Sequence, residues 1–257
     1  MSDVDTPLTL AATDPLAVRL TAAVEAGDLS GLARLLDAHP GLATARIAAR
    51  RGTWRTPLHV VTHWPGYFPD GPEVVRLLIS AGADPSARSA EGPSETPLHW
   101  AASNDDADVA AELVDGGADI EAPGGSIGGG SPLANAVGYG CWHVARLLVV
   151  RGAVAGSLWQ AAALGLRERV EELLSAGPAD QDALDEAFWQ ACHGGQLRMA
   201  ELLLARGANI DAIPGYGEGQ TPLDIAASPG ERRTRLVSWL REHGAAPLGT
   251  PQSSSDR

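Results

Sequence analysis

Lysine is missing from the 257 residues, so all 19 basic side chains are arginines. That absence removes a phosphate-loop lysine and a Schiff-base lysine from consideration. Cysteine is nearly missing too. Cys141 and Cys192 are too few to staple a chain of this length, which excludes a disulfide scaffold. No stretch supplies the roughly 18 unbroken apolar residues of a membrane-spanning helix. The opening MSDVDTPLTL is acidic and lacks the basic flank of a secretory leader. Positive charge is in deficit, with a formal net charge of −13, which argues against a nucleic-acid groove built on clustered cations. The expectation is a soluble, acidic, cytoplasmic protein without a membrane partner. The preference for Arg, Ala and Gly over Lys points to a GC-rich, bacterial coding sequence. What is present is apolar material, 44% of residues, enough for a core and too much for wholesale disorder.

A repeat organises the chain. Thr56-Pro57-Leu58-His59, Thr96-Pro97-Leu98-His99 and Thr221-Pro222-Leu223-Asp224 share a start, and Ser131-Pro132-Leu133-Ala134 is a near copy. Each leads through small apolar residues and a break to a second apolar stretch, as in the run that closes on Gly82-Ala83-Asp84 or Gly117-Ala118-Asp119. The offsets persist where the motif fades. Two residues after the Thr position stand Leu20, Leu58, Leu98, Leu133, Leu158, Phe188 and Leu223; five after it stand Ala23, Val61, Ala101, Ala136, Ala161, Ala191 and Ala226. Seven repeats therefore start near 18, 56, 96, 131, 156, 186 and 221, with a lead-in over 1–17 and a disordered C-terminal tail over 247–257. Thr suits an N-cap and Pro the first helical position, while Gly ends the second helix in the left-handed region. One helix pair cannot bury both its faces, so the pairs must stack.

The TPLH start, the paired alanines and the Gly-Ala-Asp ending resemble ankyrin repeats over residues 18–246. The resemblance implies an all-α solenoid of about seven helix-pair repeats with short hairpin loops, and non-catalytic protein–protein recognition. It further implies that the positions after the Ala pair line a groove: His63, Trp64, Ser103, Asn104, Gly138, Tyr139, His193 and Gly194. Arg55, Glu95 and Gln220 would be hairpin-tip residues. Successive Thr positions lie 38, 40, 35, 25, 30 and 35 residues apart, against a family period of about 33. The 25-residue step leaves almost no hairpin before the fifth repeat.

Chemistry-bearing strings have plainer readings. Gly124-Gly125-Ser126-Ile127-Gly128 matches G-x-S-x-G, but no strand precedes it, so it reads as a flexible loop tip. Gly128-Gly129-Gly130-Ser131 and the glycines around Tyr216 read as inter-repeat loops. His59 and His63 are one helical turn apart, yet no third ligand is spaced to complete a metal site. No catalytic residue, metal or cofactor is assigned. Trp159 and Trp189 fall at the TPLH histidine position and are expected to replace its hydrogen bonds by apolar packing.

Two features remain for recognition. Residues 63–72, with Trp64, Tyr67, Phe68 and three prolines, lengthen the second repeat and suit either a rigid recognition surface or a cover over neighbouring helix ends. Between Arg88 and Arg146 there is no Arg, while nine carboxylates occur, among them Glu95, Asp105, Asp106 and Asp108. These make either a solvated face or a docking patch for a basic partner protein. Upstream, Arg46, Arg50, Arg51 and Arg55 form a basic loop. The sequence thus points to a monomeric interaction module binding through repeats two to four. A metal-dependent or small-molecule enzyme on a helical scaffold is the alternative, and self-association a third reading.

Overall fold

The computed structural model describes residues 7–49, 52–90, 94–177, 179–217, 219–228 and 233–248. Arg50, Arg51, Glu91 and the expected tail from 249 onward lie outside these residues. The chain forms two compact bodies, 1–154 and 155–257. Among the described residues there are fourteen α-helices, none long and apolar enough to cross a membrane.

In the first body, a short strand β1 (Thr9–Leu10) precedes α1 (Pro15–Ala26) and α2 (Leu29–Ala38). The hairpin β2 (Arg46–Ala48) and β3 (Trp54–Arg55) leads to α3 (Pro57–Val61) and α4 (Gly71–Ser80). The pairs α5 (Pro97–Ser103) with α6 (Ala107–Asp115), and α7 (Pro132–Gly138) with α8 (Trp142–Val150), complete the body. First helices stack on first helices, α1 on α3, α3 on α5 and α5 on α7, and second helices likewise, α2 on α4, α4 on α6 and α6 on α8. Leu58, Leu98 and Leu133, all at the second offset, are fully buried between layers. Truncating one such Leu to Ala costs about 2–5 kcal/mol. β1 runs parallel to β2, and β2 antiparallel to β3, a small sheet the sequence pattern does not announce.

The TPLH motif carries the stacking. Thr56 N–H donates to His59 Nδ1 (3.3 Å), beside the Thr56 hydroxyl at 2.8 Å. The opposite nitrogen, Nε2, meets the Glu95 carbonyl of the next hairpin at 3.1 Å. A carbonyl can only accept, so Nε2 holds the proton and Nδ1 accepts. Thr96 and His99 repeat the arrangement, with His99 Nε2 3.2 Å from the Gly130 carbonyl. Each ring thus closes its own helix cap and ties its layer to the following one.

The second body contains α9 (Leu158–Ala163), α10 (Arg167–Ala176), α11 (Gln181–His193), α12 (Leu197–Ala205), α13 (Pro222–Ala226) and α14 (Thr234–Glu242). Its two faded motifs solve the cap differently. At α9 the cap slips by one residue: Ser157 N–H donates to Gln160 Oε1 at 3.1 Å. At α11 the helix begins five residues before Glu186, capped by Asp180 through Ala183 N–H at 2.8 Å. Trp189 corrects the expectation of purely apolar packing. Its indole N–H donates to the Gln220 carbonyl at 2.9 Å, the same position in the next hairpin that His59 and His99 reach. The ring also packs against His193 and Tyr216, at centroid separations of 5.3 and 5.9 Å.

Two predictions follow from this stacking. Burial holds His59 at about 4, against an ordinary value of 6.5, and lowers His99 in the same direction. Protonation would set a Nδ1–H against the Thr56 N–H. The unfolded chain therefore binds the proton first, and the stability carried by neutral His59 is complete above the ordinary histidine range and is lost as pH falls from there toward about 4. The thermal midpoint should fall between pH 7 and pH 5, and His59→Gln should flatten that slope; an unchanged slope would refute the assignment. Separately, Trp189→Phe should cost about 1–2 kcal/mol in urea unfolding because it strands the Gln220 carbonyl, whereas Trp159→Phe should cost less.

Candidate functional site

After the first helix of five repeats the chain turns through a single left-handed residue. In the first body this is Gly27 in repeat one, Asp105 in repeat three and Gly140 in repeat four; in the second it is Gly165 and Gly195. Asp105, at φ 58°, accepts a backbone strain on the order of 1 kcal/mol that glycine would avoid. Its carboxylate supplies the reason. Oδ1 accepts from Val144 N–H at 2.9 Å and Oδ2 lies 2.6 Å from His143 Nδ1. Val144 is the third residue of α8, whose own N-cap residue, Cys141, supplies no capping bond. Asp105 thus caps a helix of the next repeat. The sequence signal is an Asp at an offset where repeats one, four, five, six and seven have Gly.

Asp106 caps its own helix α6 through Val109 N–H (3.2 Å) and accepts Tyr67 N–H at 2.8 Å with its other oxygen. Tyr67 OH donates to the Asp105 carbonyl at 2.6 Å, and Asn104 Nδ2 donates to the Thr62 carbonyl at 2.8 Å. The insertion over 63–72 is therefore strapped by its backbone onto the turn of repeat three. Its rings are left outward: Trp64 is 76% and Tyr67 65% exposed, while Phe68 is half-buried. Burial, and then the field of Asp105, Asp106 and Asp108, raises the Tyr67 hydroxyl above its ordinary range. Tyr139, 53% exposed, occupies the corresponding turn of repeat four. The Asp105 backbone links these turns, since it meets both the Tyr67 hydroxyl and the Cys141 thiol.

The loop over 123–130 is not the projecting flexible tip expected of its glycines. It folds back onto α7. Ser126 N–H donates to Glu95 Oε1 (2.8 Å), Ile127 N–H to Asn135 Oδ1 (3.2 Å), and Ser126 Oγ lies 3.1 Å from the Tyr139 hydroxyl. Asn135 Nδ2 reaches Glu95 Oε1 at 2.7 Å and Ser103 Oγ at 3.2 Å. Ile127 sits so close to Gly138 that a Cβ there would meet it at 2.9 Å. Two expectations change. Glu95 is buried and its carboxylate latches this loop, so it is no open tip residue. Gly138 is covered by Ile127 and does not floor an open groove. Ser126 opens a turn with no strand before it, as the sequence reads, which is not the geometry of a nucleophile elbow.

The acidic run is likewise spent on the fold. Asp106 is buried, Arg76 reaches Glu112 at 3.4 Å, Arg151 pairs with Asp115, Asp119 caps Glu121 N–H (3.0 Å), and Glu121 accepts Val154 N–H (2.7 Å). Of the run's carboxylates among the described residues, Asp108 alone has no hydrogen-bond or ion-pair partner, and it is exposed. Arg55 and His63 line an open cleft of about 930 Å3 with Val18, Thr21, Glu25 and Ile47. Ser103 donates to the His99 carbonyl (2.9 Å). His193, in the second body, is held at about 4 by burial. Both thiols are free and buried, Cys141 pushed up to about 11 and Cys192 raised further in the same direction, so neither is a ready thiolate. His59, with one ring nitrogen on Thr56 and the other on Glu95, has no lone pair left for a metal.

Comparison with known proteins agrees with this architecture. The chain matches the family described as ankyrin repeats (3 copies) over residues 20–122, 63–155 and 158–248. It is 27% identical over 183 residues to the ankyrin repeat and KH domain-containing protein mask-1 of Caenorhabditis elegans, covering 68% of this chain and 7% of that protein. The chain therefore spans a small part of that relative's length. Among solved structures it is similar to the human ASB11 ankyrin repeat domain, with a TM-score of 0.50 at 20% identity, covering 86% of this chain and 96% of that one. It also matches the ankyrin repeat domain of Bcl-3, described as a unique member of the IkappaB protein family, with a TM-score of 0.46 at 25% identity, covering 93% and 100%. Helix pairs stacked within each body, with ring-to-hairpin bonds at His59, His99 and Trp189, and the family match over most of the length lead to one statement: the chain belongs to the ankyrin repeat family.

Proposed function

We propose that this chain is a non-catalytic protein–protein interaction module whose partner presents a basic surface and docks across repeats two to four. Ankyrin repeats are general protein–protein interaction modules, and that family property is the coarse support. The observation that carries the finer reading is the set of exposed rings, Trp64 and Tyr67 on the turn of repeat two and Tyr139 on that of repeat four, whose backbones are already held by hydrogen bonds. A ring on a pre-ordered backbone loses little entropy when a partner covers it. Arg55, His63, Ser103 and Asn104 extend the contact on repeats two and three. Asp108 supplies unpartnered negative charge, and the field around it acts mainly on association rate. Glu95, Asp105 and Asp106 serve this surface indirectly, by fixing the loops that present it. His193, packed on Trp189, is read as structural.

The test is affinity capture from the native cell, comparing the wild type with a Trp64→Ala, Asp108→Arg double variant whose circular dichroism is unchanged. A protein retained by the wild type and reduced about ten-fold or more by the variant is expected. Equal retention of every captured protein would sink the assignment.

A further inference from the structure

The row of turns carries more information than a basic partner in general. Trp64 and Tyr67 lie three residues apart on the strapped loop, and Tyr139 stands one repeat beyond the turn to which that strap is tied. Two exposed carboxylates flank the strap, Asp70 three residues after Tyr67 and Asp108 two residues after Asp106. Neither has a side-chain partner among the described residues, and Asp108 contributes to the field at the Tyr67 hydroxyl. Two of the cations on repeats two to four are committed to carboxylates of the same repeats. His143 is bonded to Asp105, Arg76 lies 3.4 Å from Glu112 and is also paired with Glu73, and Arg146 is exposed one turn into α8. Meanwhile the face of α7 that would be expected to receive a partner is occupied by the 123–130 loop. Exposed aromatic faces beside unpaired carboxylates call for a cation that is flat, weakly hydrated and rich in donors.

We infer that the partner segment is an arginine-bearing one, its guanidinium groups stacking on Trp64 and Tyr67 and donating to Asp70 and Asp108 along the row of turns. An ammonium group would satisfy the carboxylates but could not stack in the same way. The inference rests on the interaction-module reading above and names the chemistry of its partner. It also places the contact on the turns of repeats two to four rather than over α7.

Two fluorescein-labelled twelve-residue peptides test it, identical in a Gly/Ser background except that one carries four Arg and the other four Lys. Fluorescence anisotropy with the full chain at low salt should show the Arg peptide binding about 3–10-fold more tightly. Trp64→Ala should lower the Arg affinity by about five-fold and bring the two peptides level. Val150→Ala, at the far end of α8, should change neither. Equal binding of the two peptides to the wild type, or an Arg preference that survives Trp64→Ala, would overturn this inference while leaving a basic partner in place. Failure of both peptides to bind would count against the basic-partner reading as well.

Discussion

One hydrogen bond recurs in both bodies, from a ring N–H on the first helix of a repeat to a carbonyl in the hairpin of the following repeat. His59 makes it to Glu95, His99 to Gly130, and Trp189 to Gln220. The bond is buried at His59 and partly buried at His99 and Trp189, so leaving either partner unsatisfied costs more than the bond itself is worth in water. It also joins two needs in one side chain: the imidazole closes its own helix with Nδ1 and reaches the neighbour with Nε2. Where the hairpins sit follows from this, and so do the loops they carry. The Glu95 carbonyl fixed by His59 sets the backbone whose carboxylate then holds Ser126 and Asn135. That latch lays the glycine-rich loop onto α7.

The fold was legible because its signals are periodic. A leucine at one fixed offset and a small residue at another identify a layer even where Thr-Pro has vanished, since burial at those offsets is imposed by two neighbouring layers rather than one. The less legible parts are those where a local substitution is compensated from elsewhere. The cap of α9 slides one residue to use Gln160, and the start of α11 moves upstream to Asp180; neither follows from the offset rule. Trp189 was read by its bulk, whereas the structure uses its N–H.

The candidate surface shows the same limit more sharply. Composition along the chain concentrates carboxylates between Arg88 and Arg146 and invites an electrostatic reading. Geometry redistributes them: helix caps, a loop latch and ion pairs absorb nearly all of those described. Asp105 is marked by standing at a glycine position, but Asp106 cannot be told from a docking residue by sequence, because capping and docking both favour an acid near a helix start. The aromatic insertion was legible as a candidate. Its role in carrying exposed rings while its backbone is strapped was not, since that depends on hydrogen bonds to residues nearly forty positions away.

Asp105 gives the chain a direction. Because α8 receives its cap from the preceding repeat, and takes none from Cys141, the first turn of repeat four's second helix is completed by repeat three. The repeats of this body are consequently not interchangeable bricks. A segment cut or shuffled at the boundary between them would carry away a helix without its first-turn acceptor, and would leave behind an aspartate holding a left-handed turn for no return. Evolutionary gain or loss of a repeat here would have to move Asp105 together with α8, so the unit of inheritance is offset from the unit of structure.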